Sequence, residues 1–168
     1  MKSFYITTAI DYVNGAPHLG HAYEKVVADV IARARRSLGE QVFFLTGLDE
    51  HGQKVADKAA SEGKDPQQFV DEIAPLYAKA WERLGISNDD FIRTTEQRHK
   101  IGVAELLQRC YDAGDIELDV YRGKYCVACE EYYTDDELDE GDLCRIHKRK
   151  VEYYEEENYF FRLSRFQQ

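Results

Sequence analysis

The chain has 168 residues, enough for one domain, or one domain with a small insert, around a real core. Hydrophobic residues make up 43% of it, which argues against a disordered chain. Its 32 acidic against 22 basic residues leave a formal charge of -10, the wrong sign for a module whose stand-alone work is to hold DNA or another nucleic acid.

The opening MKSFYITTAIDYV has one lysine and no apolar run of signal-peptide length, and nothing reaches the roughly 18 apolar residues of a membrane span. A cytosolic protein with no membrane partner is expected. Thiols stay reduced there, so the four cysteines are metal ligands or core residues sooner than disulfides.

SFYITTAI is a β-branched and aromatic run, the pattern of a buried strand. NGAP breaks it. From Gly20 to Leu38 the apolar Tyr23, Val26, Val27, Val30, Ile31, Ala34 and Leu38 recur at three- and four-residue steps, which predicts an amphipathic helix ended by Gly39. QVFFLTG is a second buried strand. The next helix opens with Asp65 as N-cap, Pro66 as first residue and Gln68 at the capping-box position, with a kink or break expected at Pro75. DDFIRTT reads as a third strand. Thr94 and Gln97 form another capping box for a helix running to Gly114, with Cys110 on its apolar face and His99 among charged, solvated residues.

Alternating strands and helices predict an α/β fold, the first half of a Rossmann-like parallel sheet with crossover helices. After Gly114 the style changes. Ile116, Leu118 and Val120 alternate with polar residues, as in an antiparallel strand with one wet face. The expected domains are therefore 1–114 and 115–168, the second carrying the cysteines and a solvated acidic run, Glu155 to Glu157. Ser164 and Gln167 form a capping box with no helix behind it, as at the front part of a longer protein.

Both PHLGH and LDEHG follow strands, where ligands gather in parallel sheets. His18 and His21, three apart, share one face at a helix N-terminus, whose free N–H groups and positive dipole end attract a phosphate. Two imidazoles there can donate hydrogen bonds to a phosphate as it gains charge, and Gly20 leaves room for a flat ring. Two surface histidines after a turn is the competing reading. Cys126, Cys129, Cys144 and His147 form C-x2-C-x14-C-x2-H, a complete set for one structural, tetrahedral zinc. A disulfide pair or free cysteines are the alternatives.

FYITTAIDYVNGAPHLGHAY followed by VFFLTGLDEHGQKV resembles the methionyl-tRNA synthetases, class I enzymes with the HIGH signature, and the likeness continues through DDFIRTTEQRHK, YCVACEEYYTDDEL and NYFFRLS. The resemblance implies a methionine–tRNA ligase. Such an enzyme joins methionine to ATP, bound with magnesium, releases pyrophosphate, and passes methionine to tRNA(Met). It also implies roles. His18 and His21 contact the ATP phosphates as the catalytic pair, Gly20 lies under the adenine, and Glu24 touches the nucleotide. Asp49 holds the methionine ammonium, and Ile10 and Tyr12 line the methionine pocket. The cysteine cluster is the zinc knuckle of the connective insert.

Each residue also has a plainer reading: a helix cap for Asp49, core for Tyr12, a solvated glutamate for Glu24, a loop brace for His51. Ala9 and Asp11 depart from the bacterial pattern, which has proline and tyrosine there, and Asp11 adds a second anion near the expected pocket. The KMSKS lysine signature does not occur in this chain, so the fragment alone is not expected to aminoacylate tRNA. Two other functions remain: a non-catalytic nucleotide-fold and zinc scaffolding module, or another HIGH-type synthetase or nucleotidyltransferase.

Overall fold

A computed structural model describes residues 2–167. It divides into two compact units between Gly102 and Val103.

The first unit is built on a parallel sheet. Its strands are β1 (Ser3–Thr7), β2 (Asp11–Tyr12), β3 (Gln41–Asp49) and β4 (Asp90–Arg93). β3 is the hub. β1 pairs with it over Gln41 to Leu45, β2 over Leu48 and Asp49, and β4 over Leu45 to Leu48, all parallel. The expected strand from Ser3 to Ile10 is thus shorter, and the ladder resumes at Asp11 after a break.

The helices of this unit are α1 (Leu19–Ser37), α2 (Gln53–Ser61) and α3 (Pro66–Arg83). α1 starts and stops as the pattern predicts, with Gly39 left-handed at φ 79° beyond its end. Its buried side is not the apolar stripe, however. Lys25, Ala28, Asp29 and Ala32 face inward, while Tyr23, Val26, Val27, Val30, Ile31 and Leu38 are exposed. Two alanines let the helix approach β3 closely, and Ala28 and Ala32 pack with Phe44. Periodicity finds the helix without choosing its inner face.

α3 supplies most of the main core: Phe69, Val70, Ala74, Tyr77 and Trp81 pack with Val13, Leu48, Val55 and Ala59. Each large apolar side chain buried there contributes about 1.5–3 kcal/mol. That anchoring holds α3 as one helix through Pro75, so the expected break does not occur. Pro75 sits on the exposed side of the helix, away from the core residues. Asp65 caps the helix through the Gln67 amide at 2.9 Å, but Gln68 pairs with Glu72 instead of closing a capping box.

α4 (Gln97–Asp112) buries no residue. Cys110 is half-buried rather than core, and His99 is likewise half-buried. The expected Thr94–Gln97 box is also absent, because the Thr94 hydroxyl takes the Glu50 amide. Gly114, left-handed at φ 72°, follows α4 where the sequence changes style.

In the second unit β5 (Ile116–Cys126) pairs antiparallel with β6 (Glu131–Tyr133) and with β9 (Glu152–Phe161), and β7 (Leu138–Asp139) pairs with β8 (Leu143–Cys144). Leu118 and Val120 are exposed, so the alternation marks a strand but no dry face. Glu155 to Glu157 are exposed, as expected. Leu163–Phe166 is a single 3-10 turn, closed by the Gln167 amide on the Ser164 carbonyl, in place of a capped helix.

Candidate functional site

At the head of α1 the two histidines cap the helix with their own rings. His18 is the N-cap, and its Nδ1 accepts from the Gly20 amide at 3.1 Å. His21 Nδ1 accepts from the His18 amide at 3.2 Å, closing a capping box built of imidazoles. The rings stack with centroids 3.8 Å apart. A ring whose Nδ1 accepts carries its proton on Nε2 when neutral, so both side chains become Nε2–H donors at a helix N-terminus. Burial holds His21 below its ordinary value of 6.5; Asp11 opposes this, and His18 and Lys25 add to it. His21 is therefore a neutral donor near pH 7. A Cβ at Gly20 would sit 3.0 Å from the His18 ring, so the glycine makes room first for His18 itself.

The carboxylate loop lies at the end of β3. Tyr12 of β2 is in register with Asp49, which brings two of the residues expected to bind methionine side by side. Asp49 Oδ1 accepts weakly from the His51 amide at 3.4 Å, and its carbonyl accepts from Val13 at 3.3 Å. Asp49 is not a helix cap, because the N-cap of α2 is Gly52. Gly52 has φ 112°, and a Cβ there would fall 2.1 Å from the Tyr12 hydroxyl, so only glycine lets Tyr12 close over the loop. Ile10 is exposed and Tyr12 half-buried.

Sequence reasoning missed the groups that brace this loop. Glu50 is buried and accepts from Arg93 Nε at 2.6 Å and Thr95 Oγ1 at 2.5 Å. Its amide donates to Thr94, and the His51 ring lies 3.3 Å from the Thr94 carbonyl, the bracing role considered for it. Tyr77, fully buried on α3, shares its one hydroxyl proton between the Gly15 and Tyr12 carbonyls at 3.1 and 3.3 Å and meets His21 edge-on at 5.7 Å. Burial pushes its phenol up to about 12.

Glu24 and Asp11 turn toward the β1–β2 connection. Glu24 Oε1 accepts from the Ala9 amide at 2.8 Å and Oε2 from Lys25 at 3.1 Å. Asp11 is bound to Lys25 at 2.7 Å, so its charge is already matched.

In the second unit Cys126, Cys129, Cys144 and His147 converge, with their ligand atoms all within 4.8 Å of one another. Cys129 Sγ lies 3.4 Å from Cys144 Sγ and 3.0 Å from His147 Nδ1. All four cysteines of the chain are free thiols. A tetrahedron with metal–sulfur bonds of about 2.3 Å sets its sulfurs roughly 3.8 Å apart, so the donor set fits a metal ion.

The two halves share one turn. The Glu130 amide bonds the Cys126 carbonyl and the Lys148 amide bonds the Cys144 carbonyl, each at 2.8 Å. Glu130 and Lys148 are both left-handed, at φ 58° and 51°. No glycine marked these turns. The His147 amide pulls the Cys144 thiol down to about 6. Cys129, although the Tyr133 hydroxyl lowers it, is pushed up to about 11 by burial and by its thiol neighbours. Thiols this close cannot all ionise without a cation between them.

Among the described residues no helix is long and apolar enough to cross a membrane.

Residues 4–142 match the family model described as tRNA synthetases class I (M). The chain is 51% identical over 166 residues to a methionine–tRNA ligase of Thermotoga maritima, covering 97% of this chain and 26% of that protein. It is 49% identical over 173 residues to one of Streptomyces coelicolor, covering 98% and 32%. A structure of Mycobacterium tuberculosis methionyl-tRNA synthetase in complex with methionyl-adenylate superposes with a TM-score of 0.90 at 44% identity, over 99% of this chain and 33% of that one. The chain thus spans about a quarter to a third of the length of the relatives it matches. The family match over most of the chain, and a superposition that spans nearly all of it, place this chain in the class I tRNA synthetases of the methionine group.

Proposed function

We propose that this chain forms the amino-acid- and ATP-facing part of a cytosolic methionine–tRNA ligase. The observation that carries the reading is the imidazole capping box of α1, which leaves two Nε2–H donors at a helix N-terminus. The Mycobacterium tuberculosis relative binds methionyl-adenylate, the product of such a site. In this reading His18 and His21 donate to the phosphates of magnesium-bound ATP while the methionine carboxylate attacks the α-phosphate in line and pyrophosphate leaves. The donors stabilise charge that develops in the transition state. Gly20 borders the adenine, Glu24 the nucleotide, and Ile10 and Tyr12 the thioether side chain.

Asp49 pairs with the methionine ammonium, a compact cation that needs a fixed anion on leaving water. Asp11 is unsuited to that role, since Lys25 already matches its charge. The lysines for the pyrophosphate side and the tRNA-binding surface belong to the rest of the ligase. A zinc ion at Cys126, Cys129, Cys144 and His147 has no open position, so it supplies structure and no chemistry.

The test is methionine-dependent exchange of labelled pyrophosphate into ATP by the complete ligase. Exchange with methionine, and none with leucine or valine, is expected; no exchange with methionine overturns the reading. Asp49→Asn should weaken methionine binding by about 2–5 kcal/mol, as for one half of a buried charge pair, with ATP binding near wild type. Helix capping cannot confuse the result, because Gly52 is the N-cap of α2. Wild-type methionine affinity in this variant would remove Asp49 from the site.

A further inference from the structure

The ladder on β3 breaks between β1 and β2, at Ala9 and Ile10, after the Thr8 amide has bonded the Leu45 carbonyl at 3.3 Å. Such a break leaves backbone groups that need other partners. α1 provides them for Ala9, whose carbonyl also accepts from the Thr8 hydroxyl at 2.8 Å. The Ala9 amide donates to Glu24 Oε1 at 2.8 Å, and its carbonyl accepts from Lys25 Nζ at 2.9 Å. Lys25 is fully buried. An ammonium has three donors, and Lys25 has an acceptor for each: Asp11 Oδ1 at 2.7 Å, the Ala9 carbonyl, and Glu24 Oε2 at 3.1 Å. Asp11 is 4% exposed, and its Oδ2 is buried with no hydrogen-bond partner among the described residues.

A buried pair with an acceptor left over is a poor source of stability. Desolvation of both charges offsets most of their attraction, and an apolar pair of similar volume commonly does as well. Burial in fact pushes the Asp11 carboxyl above its usual range despite the Lys25 bond. What an apolar pair cannot do is bond a chosen carbonyl. Lys25 does this at the residue where the ladder fails, just before Tyr12 takes its register with Asp49. Lys25 also stands one helical turn from His21, so it links the two ends of the site.

We infer that Lys25, with Asp11 as its fixed counter-ion, is a positioning residue that sets the Ala9–Tyr12 backbone against the histidine end of α1, and so the spacing between methionine and the ATP phosphates. The inference rests on the ligase reading of this site.

Three variants of the complete ligase test it: Lys25→Met, Asp11→Asn, and the neutral pair Asp11→Leu with Lys25→Met. Pyrophosphate exchange is measured with methionine and ATP varied separately, beside thermal midpoints. Lys25→Met should raise the KM for methionine and lower kcat, together about 100-fold in kcat/KM, the scale of a 1 Å misplacement. The KM for ATP should move far less. Asp11→Asn should show the same split in weaker form. The neutral pair should regain a near-wild-type midpoint and keep the kinetic defect.

Wild-type kinetics in the neutral pair, or an unchanged KM for methionine in Lys25→Met, overturns the inference. Should Lys25→Met fail to fold, the neutral pair decides alone. Amide exchange at Ala9 reads the clamp without catalysis, because Lys25 holds both the Ala9 carbonyl and Glu24, the acceptor of the Ala9 amide: about tenfold faster exchange is expected in the neutral pair, and an unchanged rate overturns the inference. A wild-type ligase with no exchange activity would sink the ligase reading while Ala9 still reports on the clamp.

Discussion

Two imidazoles stacked 3.8 Å apart each answer to two demands, one from the helix and one from the phosphate proposed to bind there. The demands can be separated. His18→Ala removes the cap on the Gly20 amide, which costs about 1 kcal/mol of stability, and the Nε2–H donor as well. His18→Asn keeps a cap, since asparagine is among the best N-cap residues, but has no donor at the Nε2 position. Both variants should slow adenylate formation by roughly two to four orders of magnitude, the scale of losing a preorganised donor, while only the alanine variant loses stability. His21→Ala should behave like His18→Ala. Single-turnover adenylate formation and thermal midpoints read the two effects apart. Wild-type rates in His18→Asn would leave the histidines as caps alone. The spacing of PHLGH was legible in the sequence. The tautomer was not, because it depends on which backbone amides the rings accept from.

Elements show where a sequence pattern decides and where it does not. Cap residues opened α3, short apolar runs marked β3 and β4, and periodicity located α1. It failed on the inner face of α1, where two polar residues, Lys25 and Asp29, are buried with partners distant in sequence. The two small alanines on the same face, Ala28 and Ala32, were the available signal of close packing. β2 was unreadable, since two residues carry no period. Asp29 shows what the inward polar face contributes. Its Oδ1 accepts from the Ser87 amide at 2.7 Å and its Oδ2 from Arg33 at 2.6 Å, tying α1 to the connection that leads into β4. Burial works against the Asp29 charge, but the Ser87 hydroxyl, Arg33 and the Ser87 amide outweigh it and hold the carboxyl below its ordinary 3.8. A carboxyl lowered in the folded state stabilises above its unfolded value and loses that contribution as pH falls through the folded one. Asp29→Asn should therefore cost about 1–3 kcal/mol at pH 7, and the gap to wild type should shrink as pH drops below 3.8. Urea melts at pH 7 and pH 3 measure it; a gap that widens in acid would mean the carboxylate is not the stabilising species.

At the scale of the whole molecule the two units rest on different physics. The first has a hydrophobic core with Leu48, Phe69, Tyr77 and Trp81 inside it. The knuckle has only Cys126, Leu138, Cys144 and Val151 buried together, and half of these are thiols expected to bind metal. The paired Cys spacing made this site legible in the sequence, because ligand chemistry fixes residue types more tightly than packing does. Its matching left-handed turns at Glu130 and Lys148 were not legible, since neither position is glycine. So small a cluster cannot hold its chain by burial, and metal binding should supply the folding free energy of that segment. The purified protein should contain one zinc per chain. Cobalt(II) in its place should give the intense thiolate charge-transfer bands of a tetrahedral site. Chelation should strip amide protection from Cys126 to Val151 and leave the amides beneath α3 protected, because no ligand lies in that core. Cys144→Ser should reproduce the chelated state without chelator, as Cys144 is a fully buried member of the set. A metal-free protein with a protected knuckle would show that packing alone suffices there. Loss of protection in both units would show that the metal supports the α/β core as well, which its own buried residues argue against.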